Sequence, residues 1–255
     1  MEDSIREDSI RQGTNTTAGS DDQPASVPEP VGAFRGRLDI ISDAICPWCY
    51  IGKRQLERAL PELAAEGLHF AVHWNPFQLN PELPREGVDR SAYRQAKFGS
   101  LQRSRELDAR VTEAAASVGL SFHLDRLERT PNTLNAHRLI WLAGERGIQD
   151  AAMEAVFGAY FVAARDIGDP AVLADCAVAA GLSRDEALGF LASQRLEADV
   201  AGAYNAARKA GVNAVPSFFL DGYSLFSGAL PAETIVEALR RAHTILSQRQ
   251  ADGAA

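Results

Sequence analysis

The pair Cys46-x-x-Cys49, with Pro47 and Trp48 between the cysteines, limits the folds open to this chain more than any other feature. An isoleucine-rich, partly alternating run, Leu38 to Ile45, precedes the pair and is typical of a buried strand. Good helix formers follow, with leucine and alanine recurring at helical spacing. The sequence therefore predicts a strand that leads into a helix, with the two cysteines at the helix start.

Helical geometry separates the two predicted thiols. Residues seven and eleven apart lie within about 20° of one helix face. Cys49 therefore shares the apolar face of Leu56, whereas Cys46 shares a charged face with Lys53 and Glu57. We expect an exposed Cys46 and a shielded Cys49.

This asymmetry suits thiol–disulfide exchange. Unpaired N–H groups and the helix dipole stabilise a thiolate at the first turn, and Pro47 removes no needed donor there. Cys46 is thus the candidate nucleophile, and Cys49 the thiol that resolves the mixed disulfide. Trp48 is expected to pack beside the sulfurs, and Asp43 is the candidate proton relay.

Zinc binding and a structural disulfide are the alternatives for such a pair. A four-cysteine zinc site needs a second pair, and only Cys176 remains. His69 and His73 fall in a strand-like stretch, where their spacing puts them roughly 13 Å apart. A disulfide closing so small a ring constrains little of the unfolded chain. The sequence therefore favours a redox dithiol without a metal or a bound cofactor.

Composition excludes several other classes of protein. The 255-residue chain has a formal net charge of −8, which argues against broad binding to nucleic acid. Residues 1–34 are polar and rich in Ser, Thr, Asp and Pro, which predicts a disordered tail. No apolar core of a signal peptide and no membrane-length apolar run is present, which favours a cytoplasmic protein.

Strand-like and helix-like segments are unevenly distributed along the chain. A second strand is predicted near His69 to Leu79, and helical periodicity dominates from Ser91 to Ala210. Asp221-Gly222 lies between two apolar runs and predicts a hairpin, followed by a last helix. The predicted organisation is a tail, a discontinuous α/β domain and an all-helical insertion: 1–34, 35–82 with 205–250, and 83–204.

Several motifs together resemble the thioredoxin fold with a helical insertion, and more narrowly the DsbA family of dithiol oxidoreductases in its FrnE-like branch. The segments that carry the resemblance are Ser42–Lys53, Asn75–Pro81, Asn132-Thr133, Ala136–Leu139, Gly211-Val212, Val215-Pro216 and Ser227–Ala229. The resemblance implies a cis peptide bond before Pro216, next to the dithiol. It also implies substrate binding by Pro47, Trp48, Val215 and Pro216.

The predicted function is thiol–disulfide exchange on protein or small-molecule substrates, with glutathione or thioredoxin as the candidate electron partner. A glutathione-dependent isomerase or transferase, of the 2-hydroxychromene-2-carboxylate isomerase or kappa class, is the second hypothesis. Those relatives typically present serine at the first cysteine position, which Cys46 does not match. A chaperone-like or biosynthetic accessory protein is the third. The sequence leaves open a monomer or a homodimer.

Overall fold

The structure is a computed structural model that describes residues 34–253, so the predicted tail lies outside it up to residue 33. The strands are β1 Phe34–Ser42, β2 Leu68–Pro76, β3 Val88–Asp89, β4 Arg129–Thr130, β5 Ser217–Leu220 and β6 Tyr223–Ser227. The helices are α1 Pro47–Ala65, α2 Arg90–Phe98, α3 Leu101–Ser117, α4 Leu134–Glu145, α5 Gln149–Phe157, α6 Pro170–Ala180, α7 Arg184–Ala192, α8 Glu197–Lys209 and α9 Ala232–Gly253. No helix among these residues has the length and apolar character needed to cross a membrane.

A four-stranded mixed sheet in the order β2-β1-β5-β6 forms the centre of the α/β part. Strands β1 and β2 are parallel and are joined through α1, because parallel neighbours require a crossover connection. Strands β5 and β6 form the predicted antiparallel hairpin, and β5 also pairs antiparallel with β1. Asp221 and Gly222 both have positive φ, 48° and 84°, which is the backbone that a tight two-residue hairpin turn requires.

Helix α1 starts where the sequence predicts, with Pro47 in its first turn. It packs against β2 and α9 through buried residues including Leu56 and Leu63. Gly52 lets this helix approach the loop before β5, since a Cβ there would lie 3.1 Å from Cγ of Pro216. The predicted thioredoxin-like fold with a helical insertion is confirmed.

The segment between β2 and β5 is mainly helical, although it also contains the two-residue strands β3 and β4. A π-helical segment, Gly158–Val162, continues α5. Tyr50 of α1 stacks on Phe157 and Phe122, with ring centroids 4.9 and 5.8 Å apart. Aromatic packing therefore joins the first helix to the insertion. The predicted domain boundaries stay a prediction.

A cluster of charged side chains also joins α1 to α5. The Lys53 ammonium lies 3.0 Å from Asp150 and 3.2 Å from Glu154, and it also pairs with Glu57. Lys53 is only 2% exposed, so its predicted outward position is wrong. Helix α5 covers this face of α1, and the prediction treated α1 as an isolated helix.

Candidate active site

Cys46 lies immediately before α1, with extended backbone at φ −89° and ψ 112°. Its N–H donates to the carbonyl of Asp43 at 3.0 Å, and this hydrogen bond closes the turn between β1 and α1. Its Sγ is 3.6 Å from the carbonyl oxygen of Val215, to which the thiol donates. The residue is 5% exposed, so the predicted exposure of Cys46 is wrong. A residue that precedes the helix does not follow the helical repeat, and the Val215 loop covers one side of it.

Cys49 is fully buried inside the first turn of α1, as the sequence predicts. Burial raises the pKa of the Cys49 thiol well above its ordinary value, and hydrogen bonding and negative charge at Cys46 raise this pKa further. Both cysteines are free thiols in this structure. Cys49 therefore keeps its proton to a higher pH than an ordinary thiol does.

The loop before β5 lies directly against the dithiol. The Val215–Pro216 peptide bond is cis, and both residues are buried. The Val215 carbonyl accepts from the Cys46 thiol, which places this loop within contact distance of the Cys46 sulfur. The cis geometry implied by the resemblance is confirmed. Substrate binding by Val215 and Pro216 stays a prediction.

Asp43 is completely buried at the end of β1. Its Oδ2 accepts from the N–H of Leu79 at 2.7 Å, and its Oδ1 lies 3.2 Å from Nε2 of His137. The same Nε2 lies 3.0 Å from the carbonyl oxygen of Phe77, which can only accept, so Nε2 carries a proton. The Asp43 carboxylate thus links β1, the end of β2 and α4, and its role as a proton relay stays a prediction.

A cavity of about 440 Å³, termed here the active-site cavity, opens beside the dithiol. Cys46, Pro47 and Trp48 line one side of it, whereas Cys49 is not among its lining residues. Trp48 is 42% exposed. Pro47 and Trp48, which the sequence predicts to bind substrate, therefore line the cavity next to Cys46.

The opposite wall of the active-site cavity belongs to α2 and α3, which the sequence analysis did not connect with the dithiol. Its charged members are Arg90, Arg94, Lys97, Asp108 and Arg110. The three on α2 recur at i, i+4 and i+7, a spacing that places them on one helix face. This periodicity is visible in the sequence, but only the fold brings that face to Cys46.

Cys176 is a buried thiol remote from the other two cysteines in sequence. It is 4% exposed, and its Sγ donates to the carbonyl of Ala155 at 3.5 Å. Burial raises the pKa of the Cys176 thiol to about 11. Among residues 34–253, no group of three or more His, Cys, Asp or Glu side chains is arranged to hold a metal ion.

Because Cys176 is buried, we expect the free energy of unfolding to depend on pH in the alkaline range. The unfolded thiol ionises near pH 8.5 to 9, whereas the folded thiol keeps its proton up to about pH 11. Its contribution is therefore complete below the unfolded pKa and is lost as pH rises towards 11. Urea denaturation under reducing conditions measures the free energy of unfolding. Between pH 8 and pH 11, this free energy should fall by roughly 2 kcal/mol more in wild type than in Cys176→Ala. A difference between the two proteins that is constant with pH would contradict this expectation.

Comparison with known proteins identifies the family. The family model of the DSBA-like thioredoxin domain matches residues 37–240, which include the dithiol, the insertion and the cis-proline loop. The chain belongs to this family. A solved structure described as a probable DsbA oxidoreductase, from Streptomyces coelicolor, is 32% identical with a TM-score of 0.74 and covers 82% of this chain and 90% of its own.

Two further solved structures share the fold at lower sequence identity. The cytosolic disulfide reductase DsbM of Pseudomonas aeruginosa, solved with GSH, is 19% identical with a TM-score of 0.55, covering 83% of this chain and 99% of that one. A 2-hydroxychromene-2-carboxylate isomerase is 16% identical with a TM-score of 0.58, covering 86% of this chain and all of that one. At these identities the likeness is one of fold alone.

Proposed function

We propose that the protein is a thiol–disulfide oxidoreductase in which Cys46 is the nucleophile and Cys49 the resolving thiol. One observation carries the proposal: Cys46 lines the active-site cavity, whereas Cys49 is 0% exposed one helical turn behind it. A substrate sulfur can approach Cys46 through the cavity. It has no such path to Cys49.

In the reducing direction, the Cys46 thiolate attacks one sulfur of a substrate disulfide. A Cys46–substrate disulfide forms, and the other substrate sulfur leaves as a thiolate that takes up a proton. Cys49 then loses its proton and attacks Cys46, which forms the Cys46–Cys49 disulfide and releases the second substrate thiol. The dithiol is oxidised by two electrons and the substrate is reduced by two. The oxidising direction reverses these steps.

The surroundings of Cys49 set the order of the two steps. Burial raises its pKa, and negative charge at Cys46 raises it further. Once Cys46 is joined to a substrate sulfur it is neutral, so that second contribution disappears. Cys49 therefore ionises more easily after the first step than before it, and attack by Cys49 follows attack by Cys46.

The remaining parts of the proposal concern the partner, the branch and the location. A low-molecular-weight thiol such as glutathione, or thioredoxin, is the electron partner that returns Cys46–Cys49 to the dithiol. The P. aeruginosa DsbM structure, solved with GSH, supports the former, and its description as cytosolic supports a cytoplasmic location. Assignment to the FrnE-like branch rests on the Ser42–Lys53 and Val215-Pro216 motifs.

A trapping experiment tests the proposal. With Cys49→Ser, the resolving thiol is absent, so the first step should stop at a mixed disulfide on Cys46. After reaction with bis(2-hydroxyethyl) disulfide, intact mass and peptide mapping should find one retained half-disulfide on Cys46. Wild type should retain none and end with Cys46 joined to Cys49. Cys49→Ser/Cys176→Ala should trap equally, and an adduct that forms only on Cys176 would contradict the proposal.

A further inference from the structure

The active-site cavity carries an excess of positive charge on the wall opposite the dithiol. Four cationic residues, Arg90, Arg94, Lys97 and Arg110, line it together with one acidic residue, Asp108. Arg90 and Arg94 share the same Asp108 carboxylate, at 3.3 and 2.5 Å. One carboxylate therefore neutralises only half of the positive charge of the two guanidinium groups.

Neither of the other two cations pairs with a carboxylate in the described part of the chain. The Lys97 ammonium donates to the hydroxyl of Tyr93 at 2.7 Å, which satisfies a hydrogen bond without neutralising its charge. Arg110 is exposed and has no ion pair or hydrogen bond within residues 34–253. Burial and the neighbouring charge of Arg90 lower the pKa of Arg94, so an added anion would also relieve this repulsion.

A buried hydroxyl supplies a second, independent sign of a ligand. Thr130 lines the active-site cavity, is 3% exposed, and its Oγ1 has no hydrogen-bond partner in the described part of the chain. Buried polar atoms are nearly always paired, and a bound polar group is one way to pair them. The wall of the cavity thus contains an unused hydroxyl donor beside its cationic residues.

We propose that the active-site cavity binds a low-molecular-weight disulfide whose sulfurs carry carboxylate-bearing substituents. This inference rests on the proposed function and adds the charge of its substrate. Carboxylates bind the guanidinium and ammonium groups of α2 and α3, while one sulfur contacts Cys46. The cavity volume of about 440 Å³ fits a small molecule. Trp48 and the apolar parts of the wall contact the carbon chain between carboxylate and sulfur.

Three symmetric disulfides that differ mainly in charge test the inference. 3,3′-Dithiodipropionate carries two negative charges, bis(2-hydroxyethyl) disulfide none, and cystamine two positive charges. Each is mixed with reduced wild-type protein at low ionic strength, and the second-order rate of Cys46–Cys49 oxidation is measured by acid quench and mass spectrometry. Each rate is divided by that of dithiothreitol with the same disulfide, which removes intrinsic differences in reactivity.

The normalised rate should be at least about tenfold higher for dithiodipropionate than for cystamine, because a cationic cleft concentrates anions by about 10-fold to 10³-fold. Added salt should shrink this ratio. Lys97→Gln/Arg110→Gln should reduce it at least about threefold. The matched control is Arg103→Gln/Lys209→Gln, which removes the same two charge types at exposed positions outside the cavity and should leave the ratio unchanged.

The outcomes separate the inference from the proposed function. Equal acceleration of all three disulfides overturns the anionic substrate and leaves the oxidoreductase intact. Equal loss in both double variants overturns the local site, because net charge alone would then explain the preference. If no disulfide oxidises Cys46 and Cys49 faster than it oxidises dithiothreitol, the proposed function fails on small disulfides, and the inference fails with it.

Discussion

Replacing Cys46 by serine is expected to reduce the rate of disulfide exchange by about 10³-fold or more, since losing a nucleophile commonly costs on the order of 10³ to 10⁶. A serine hydroxyl does not ionise near neutral pH and does not form the mixed disulfide that the second step needs. Cys49 cannot replace it, because Cys49 is 0% exposed and does not line the active-site cavity. Insulin reduction, followed by turbidity with a thiol regenerating system, measures the loss.

Cys176→Ser provides the matched control for this experiment. It makes the same substitution at a buried cysteine that does not line the active-site cavity. We expect Cys176→Ser to keep the wild-type rate wherever it is folded, as checked by circular dichroism. Full activity in Cys46→Ser would show that the exchange does not pass through Cys46, and would remove the basis for the order of steps proposed above.

The sequence predicts the dithiol and its fold because the signals for both are local. A strand-like run, a proline in the first helical turn and an Asp-Gly between apolar runs each fix backbone within a few residues. The burial of Cys46 is not a local property. It comes from the loop at Val215, which is 169 residues further along the chain, and the helical repeat used for the prediction begins only at Pro47.

Electrostatics at the site is also set by distant parts of the chain. The Asp43 carboxylate meets His137 only after α4 packs against the end of β2. The cationic face of α2 carries a readable period in the sequence, yet a charged helix face usually points to solvent. Its position opposite Cys46 depends on how the insertion folds back over the first helix. The sequence does not determine this packing by periodicity alone.

Arg138 lies in the same motif as His137 and holds a different part of the insertion together. It is 1% exposed, and its guanidinium donates to the carbonyls of Phe190, Ser193 and Arg195 at 3.2, 2.6 and 2.8 Å. These carbonyls lie in and after the last turn of α7, just before α8. One buried cation thus holds three carbonyls of the α7–α8 connection, of which the Phe190 carbonyl also accepts from the N–H and hydroxyl of Ser193.

Arg138→Met should therefore lower the free energy of unfolding by about 3 kcal/mol or more, because it removes three hydrogen bonds from a charged donor and each contributes about 1.5 to 3 kcal/mol. Methionine fills part of the volume but donates no hydrogen bond. Urea denaturation followed by circular dichroism measures the change. Arg146→Met is the matched control and should change stability by less than about 1 kcal/mol. Arg146 is an exposed residue that directly follows the same helix, and within residues 34–253 its side chain pairs only with Glu186, at 2.6 Å. Arg138→Lys, with the charge kept but the planar fork lost, should fall between the two. Equal stability of Arg138→Met and Arg146→Met would show that the three carbonyls find other donors, and that α4 is held to α7 and α8 by apolar packing alone.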